Sequence, residues 1–476
     1  MLLALRVTGC AGDGNEPADS SVRGKADRPN IVFILIDTLR ADRLGAYGNA
    51  RRLSPTMDEI AAEGVVFEHV VAQAPWTQPS MASIFCSVHP SVHKVLRYVP
   101  PSESRKNPSS VCVLPDGFST LAELLRDRGY DTAAFVANPM MRGEYGFGQG
   151  FDVYDASFAK NSTPGQVVNE ACFKWLEKRQ GGKPFFVYLH YMDAHGPYNA
   201  GPEHVDDLLG ELEKQSGLSE MSEKDYKMLR YLRKPPPVMS DPAQHDRLSR
   251  YHEYWQARYD AGVRACDRAI AELRDHLKGA GLWDNAYVVV TADHGEALGE
   301  HVVWGHGWTL HDTDLRVPLI MRWPGKLPAG RRVAPAVRLI DLAPTFIEQL
   351  GMRQVGQVQG VSLAALWEDA GRREWLPGFS ECVKIGVEQK SICMGDWKLI
   401  LTPRNNRRQL FNIAQDPMEK HNVAATYPQE AARLEAALRS ALEENIAVAA
   451  KVQAQNAIIS PEEVERLKSI GYMGGE

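Results

Sequence analysis

Residues Asn30-Ile-Val-Phe-Ile-Leu-Ile36 form an unbroken apolar run. A run of that length, without polar alternation, predicts a strand buried on both faces, as in the centre of a parallel sheet. Similar runs follow at Thr132–Ala137, Pro184–Tyr191, Ala286–Thr291 and 316–323. Between them lie amphipathic stretches. Ser54 and Pro55 open a compact helix that Gly64 can close in the left-handed conformation. Leu121, Leu124 and Leu125 share one face of a helix over 119–128, and 247–278 reads as a long helix. This β/α alternation predicts an α/β fold: a large mixed, mostly parallel sheet flanked by helices. After about residue 360 the pattern changes. Short strands at 378–382 and 390–402 have no long helix between them, and a helix follows over 428–452. That predicts a small C-terminal α+β subdomain built on an antiparallel sheet. The expected division is 1–28, 29–360 and 361–476. Residues 201–247 are polar, contain Lys234-Pro-Pro-Pro237, and suit an insertion or lid-type loop.

Candidate chemistry sits where the predicted strands end. In open α/β sheets ligands bind beyond the carboxyl ends of the strands. Asp37 follows the first run. Ala292-Asp293-His294-Gly295-Glu296 follows the run at 286–291, and Asp193-Ala-His195 follows the run at 184–191. Carboxylates and imidazoles converging on one point can hold a cation. Four histidines, 294, 301, 306 and 311, fall within eighteen residues, out of 14 in the chain. Asp293 could instead cap a turn, with the histidines on a wet loop. Pro79 reads as the start of a helix, which places Thr77 just before an N-terminus where free N–H groups favour an anion. A hydroxyl there is either a metal-activated nucleophile or a plain N-cap.

Composition narrows the partners. The 476 residues are 44% hydrophobic and 24% charged, with a net charge of -6. Nothing in that balance points to nucleic acid. No apolar run is long enough to cross a bilayer. There is no C-x-x-C among the seven cysteines, so zinc-finger and thioredoxin-like readings drop out. Val7-Thr8-Gly9-Cys10 after a short apolar start resembles a bacterial lipobox, so Cys10 is expected to carry a lipid anchor. Residues 11–28 suit a flexible tether. The expected location is the cell envelope, as a periplasmic or surface lipoprotein.

Several segments together resemble the sulfatase family of the alkaline-phosphatase superfamily over roughly residues 29–425. They are Asn30 to Asp42, Pro75-Trp-Thr77-Gln-Pro79-Ser80, His190-Tyr-Met-Asp193-Ala-His195, Asp293-His294-Gly295-Glu296 and Trp304-Gly305-His306-Gly307. Arg316-Val-Pro-Leu-Ile, Asp341-Leu-Ala-Pro344-Thr345 and Gln409-Leu-Phe-Asn412 to Pro417 complete the order. The resemblance implies that Asp37, Asp293 and His294, with Thr77, hold a divalent metal ion (Ca, Mg, Mn or Zn). It implies Thr77, His195 and His306 as catalytic residues, and Asn138, Asp193 and Arg40 as substrate-binding ones. The chain also departs from the family. The usual C-x-P-x-R nucleophile segment has Thr77 and Met81 in place of Cys and Arg. Oxidised threonine would be a ketone, so no formylglycine is expected. Thr38 replaces a second aspartate, and Asn138 is the only polar substitute for an expected lysine–histidine segment. Threonine resembles the phosphodiesterase and phosphoethanolamine-transferase branches. The expected activity is metal-dependent hydrolysis of a sulfate or phosphate ester, on a small-molecule, glycan or lipid-headgroup substrate, through Thr77. The alternatives are a phospho-group transferase and an inactive sulfatase-like binding protein.

Overall fold

The computed structural model describes residues 28–464, apart from 97, 100–109, 160–162, 202, 205–207, 209–241, 354–355, 357, 370–375, 383–387, 459, 461 and 463. Cys10 with its tether, and most of the 201–247 insertion, lie outside the described residues.

The apolar runs pair into one nine-stranded sheet. Its strands are β1 (Asn30–Ile36), β2 (Val65–Val71), β3 (Asp131–Val136), β4 (Val153–Asp155), β5 (Phe185–Tyr191), β6 (Ala286–Thr291), β7 (Arg316–Arg322) and β8 (Arg331–Val333), with Val337–Arg338 beside β2. The order is β8-β2-β7-β6-β1-β5-β3-β4. Only β7 pairs antiparallel, with both β6 and β2; the other pairs are parallel. β1 is central because its residues Ile31 to Ile36 have no face left for water: all are at most 1% exposed. Its neighbours β5 and β6 run in the same direction. Their carboxyl ends therefore meet at one edge, and Asp37, Met192 to His195 and Asp293-His294 follow from three adjacent strands.

Helices α1 (Pro55–Ala62), α2 (Thr77–Cys86), α3 (Gly165–Lys178), α4 (Pro242–Gly279) and α5 (Leu342–Gln349) accompany the sheet. Two local expectations at α1 are replaced by tertiary contacts. Ser54 makes no side-chain cap. The Asp267 carboxylate of α4 instead accepts from the N–H groups of Thr56 and Met57 at 3.0 and 2.8 Å. Gly64 does not take positive φ. It is glycine because a Cβ there would lie 2.2 Å from the Met321 carbonyl of β7.

The C-terminal part forms a four-stranded antiparallel sheet, β9 (Gly378–Cys382), β10 (Gln389–Met394), β11 (Trp397–Thr402) and β12 (Arg407–Asn412), with helix α6 (Pro428–Ala449). Phe379, Ile392, Leu399, Leu401 and Leu410 of the sheet pack on Ala431, Leu434 and Leu438 of α6 in a core of their own. Cys86, Cys112, Cys172, Cys266, Cys382 and Cys393 are buried and unbonded to one another. No helix among the described residues is long and apolar enough to cross a membrane.

His93 ties down the start of α2. It is fully buried. Its Nδ1 accepts from Val95 N–H at 3.1 Å, so Nε2 carries the proton, facing Pro79 O at 3.2 Å and Ser83 Oγ at 3.1 Å. Burial holds this imidazole down at about 3. In the unfolded chain a histidine binds a proton near ~6.5. A folded pKa below the unfolded one means stability is fully present above pH ~6.5 and is lost as pH falls toward 3. A His93→Gln variant should therefore show a flatter fall of Tm between pH 6.5 and 4 than the parent, measured by calorimetry.

Candidate active site

Asp37, Asp293 and His294 each offer one ligand atom, and these atoms lie within 4.8 Å of one another. All three residues are fully buried. His294 Nδ1 donates to Gly295 O at 2.9 Å, which leaves the Nε2 lone pair facing inward. That nitrogen stands 3.3 Å from Asp293 Oδ2 and 3.6 Å from Asp37 Oδ1. Asp293 Oδ2 accepts no hydrogen bond, while Oδ1 accepts from His294 N–H at 3.0 Å and Thr38 N–H at 3.4 Å. A neutral lone pair facing two buried carboxylates is repulsive unless a cation lies between them. Burial and the Asp37 charge drive the Asp293 carboxyl well above the usual range. Burial alone would raise Asp37 too, but the bond from His190, with further imidazoles close by, holds it well below. This donor set fits a divalent cation.

Thr77 is the first residue of α2. Trp76 holds the N-cap position, without a side-chain cap bond, so the plain N-cap role does not apply. Thr77 Oγ1 lies 3.4 Å from Asp37 Oδ2 and 3.3 Å from His294 Nε2. One turn along, Ser80 Oγ donates to Asp293 O at 2.6 Å and locks α2 to the end of β6. Asn138, just beyond β3, donates from Nδ2 to Asp37 Oδ2 at 2.5 Å and reaches Thr77 Oγ1 at 3.4 Å. Its amide is oriented by Met140 N–H, which donates to Oδ1 at 2.7 Å. Thr38 turns away: with φ 62 it directs Oγ1 to the Ala194 carbonyl at 3.0 Å.

His190 is the residue that sequence reasoning missed. It sits inside β5, beside Leu35 of β1. Its Nε2 donates to Asp37 Oδ2 at 3.0 Å and its Nδ1 accepts from Tyr188 OH at 2.8 Å. The available signal was a histidine in an otherwise apolar central run, where a buried polar group needs a partner. Tyr188 OH also lies 3.8 Å from Met81 Sδ.

Beside this cluster, the rings of His195 and His306 are 5.1 Å apart, and His306 lies 4.5 Å from the His294 ring. His306 Nδ1 donates to Glu296, at 3.2 and 3.3 Å from its two oxygens. Burial pushes Glu296 up to about 7. Burial also holds His195 down at about 4.

Arg40 and Asp193 do not join this cluster. Arg40 forms a bidentate pair with Asp42, at 2.9 and 2.7 Å. It also donates to Glu296 O at 3.0 Å and Glu300 Oε1 at 2.7 Å. It braces the 293–300 turn from behind and has no spare face for a substrate. Asp193 turns under the sheet, where its carboxylate accepts from Gly165 N–H at the start of α3, at 3.2 and 3.0 Å. Burial pushes it up to about 6. Asp193→Ala leaves that buried N–H unsatisfied. It should cost about 1–3 kcal/mol in denaturant unfolding, with KM for the best ester substrate unchanged.

The sulfatase family model matches residues 29–352, and the C-terminal model of N-sulphoglucosamine sulphohydrolase matches 299–447. The chain is similar to an N-acetylglucosamine-6-O-sulfatase of Bacteroides thetaiotaomicron, with 24% identity covering 89% of this chain and 86% of that protein. A protein solved in complex with its substrate D-glucosamine-2-N,6-O-disulfate superposes with a TM-score of 0.70 at 20% identity, over 88% of this chain and 98% of the other. The phosphonate monoester hydrolase of Agrobacterium radiobacter superposes with a TM-score of 0.64 at 21% identity, over 91% and 100%. The fold is thus shared with both. Since the sulfatase model spans well over half of the sequence, the chain belongs to the sulfatase family.

Proposed function

We propose that this sulfatase-family enzyme hydrolyses sulfate or phosphate esters by direct attack of Thr77 Oγ1. One observation carries the reading. The hydroxyl stands 3.3 Å from His294 Nε2 and 3.4 Å from Asp37 Oδ2, beside a buried cluster suited to a cation. A divalent ion held by Asp37, Asp293 and His294 would supply Lewis acidity, easing deprotonation of Thr77 and drawing charge from the transferred group.

The protein's own residues do the rest. Thr77 Oγ1, oriented by its bond to Asp37 Oδ2, gives up its proton to solvent. Thr77 Oγ1 bonds to the sulfur or phosphorus as the ester oxygen departs, and that oxygen takes a proton from an imidazole. Of the two candidates, His306 has the carboxylate partner, so Glu296 can stabilise it as an imidazolium. His195 is kept neutral by burial, with Nδ1 donating to the Gly196 carbonyl at 2.6 Å, so its Nε2 can only accept a hydrogen bond. Water then attacks the Thr77 ester, releasing the free anion and restoring the hydroxyl. Asn138 and the α2 N-terminus offer N–H groups to the equatorial oxygens. Formylglycine has no place in this scheme, and neither the arginine replaced by Met81 nor the aspartate replaced by Thr38 is required.

The relatives favour a sulfated glycan as substrate; the phosphonate hydrolase keeps phosphoryl esters in the panel. The catalytic unit is residues 29–360, with 361–476 as its C-terminal companion. The Val7-Thr8-Gly9-Cys10 segment supports a place at the cell envelope.

Thr77→Ala should lower kcat by roughly 10⁴–10⁶-fold with metal content unchanged, and Thr77→Ser should keep substantial turnover. The assay is a panel of aryl sulfates, phosphate mono- and diesters and phosphonates, beside elemental analysis of the same samples. Near-parental turnover in Thr77→Ala would mean that water attacks directly. Separately, His190→Phe removes the donor behind Asp37 and should weaken metal binding about 10–100-fold, read by chelator competition.

A further inference from the structure

A second group of ligand-type side chains lies outside the site just described. His301, His311 and Glu419 each offer one ligand atom, and these atoms lie within 4.8 Å of one another. They come from three separate segments. His301 is in the turn Glu300–Val302, His311 precedes the short helix Asp312–Leu315, and Glu419 lies in the turn after β12.

Two nitrogens in the group lack a partner. His311 is 7% exposed and its Nδ1 makes no hydrogen bond; His301 Nε2 makes none either. Buried polar atoms are nearly always satisfied, so two adjacent orphans require an explanation. Glu419 is 2% exposed. Its Oε2 accepts from Asp312 N–H at 2.6 Å, and its Oε1 lies 2.8 Å from Lys398 Nζ. Lys398 also holds Asp312 Oδ1 at 2.6 Å. Two carboxylates against one ammonium leave a negative charge over, and each Glu419 oxygen keeps a lone pair.

We propose that His301, His311 and Glu419 form a second, structural cation site for a zinc-class divalent ion, joining the active-site loop to the C-terminal sheet. Two imidazoles and a carboxylate match that class, whereas calcium and magnesium take mostly oxygen ligands. The two rings stack with centroids 3.7 Å apart at 12°. An ion must lie near the plane of each ring, so the half-buried His301 ring turns out of the stack on binding. His301 and Glu419 both have left-handed backbones, with φ 52 and 51. The consequence reaches the catalytic turn. Glu300, next to His301, pairs with Arg40 and accepts from Leu298 N–H, and the same loop continues to His306.

The test separates the two sites. Purified chain is stripped with chelator, reloaded with zinc chloride, dialysed and analysed for bound zinc. The parent should hold two equivalents and His311→Phe, which keeps a buried ring, should hold one. In an Asp293→Asn/His294→Ala background the single remaining equivalent should vanish with His311→Phe. Glu419→Gln, which keeps an acceptor for Asp312 N–H, should lower zinc affinity at this site at least tenfold in calorimetric titration. Zinc should raise the Tm of the Asp293→Asn/His294→Ala chain and leave that of its His311→Phe derivative unchanged. Equal zinc stoichiometry in parent and folded His311→Phe would overturn the proposal. So would an Asp293→Asn/His294→Ala chain that binds no zinc.

Discussion

Two buried carboxylates facing one imidazole lone pair are the constraint on which the rest of this structure depends. Asp37 and Asp293 cannot both be charged in a dry interior without compensation. The surroundings respond asymmetrically. Asp37 Oδ2 is surrounded by donors: His190, Asn138 and Thr77. Asp293 receives two backbone N–H groups on Oδ1 and none on Oδ2. The unsatisfied side of the pair is thus turned toward His294, where a cation would relieve all three groups together.

That arrangement needs rigid supports, and the fold supplies them from several directions. Strands β1, β5 and β6 are parallel neighbours, so their ends cannot shift independently. Helix α2 is pinned at Ser80 to Asp293 and at Pro79 by His93. Arg40 ties Asp42, Glu296 and Glu300 together beneath the turn that presents His294 and His306. A charged side chain so fully paired holds the loop in place, as a bidentate guanidinium does well.

The replaced residues form a consistent set. Met81 leaves a thioether near Tyr188 OH where a guanidinium would have carried charge. Tyr188 in turn accompanies His190, which approaches Asp37 from below. Thr38 spends its hydroxyl on the Ala194 carbonyl. Two charges of the family pattern are therefore absent here, one arginine and one aspartate. This fits the proposed attack by the Thr77 hydroxyl.

Much of this was legible in the chain itself. Apolar runs with no polar alternation determined the buried parallel strands, because a strand covered on both faces has no use for polar side chains. The strand-end rule placed Asp37, Asp293 and His294 together, since neighbouring parallel strands end at one edge. Other features depended on directions that sequence spacing does not encode. Asp193 and His195 are two residues apart after one strand, yet one caps α3 from beneath and the other faces His306. His190 looked like part of an apolar run until β1 was paired beside it. Ser54 had the local signature of an N-cap, but Asp267 of α4 performs that role from 211 residues away. The physical reason is one of range. Backbone preference and burial periodicity are properties of a few adjacent residues, so the sequence determines elements and their order. Which partner satisfies a buried polar group is settled only when distant segments pack, so the tertiary structure alone decided the hydrogen bonds that shape this site.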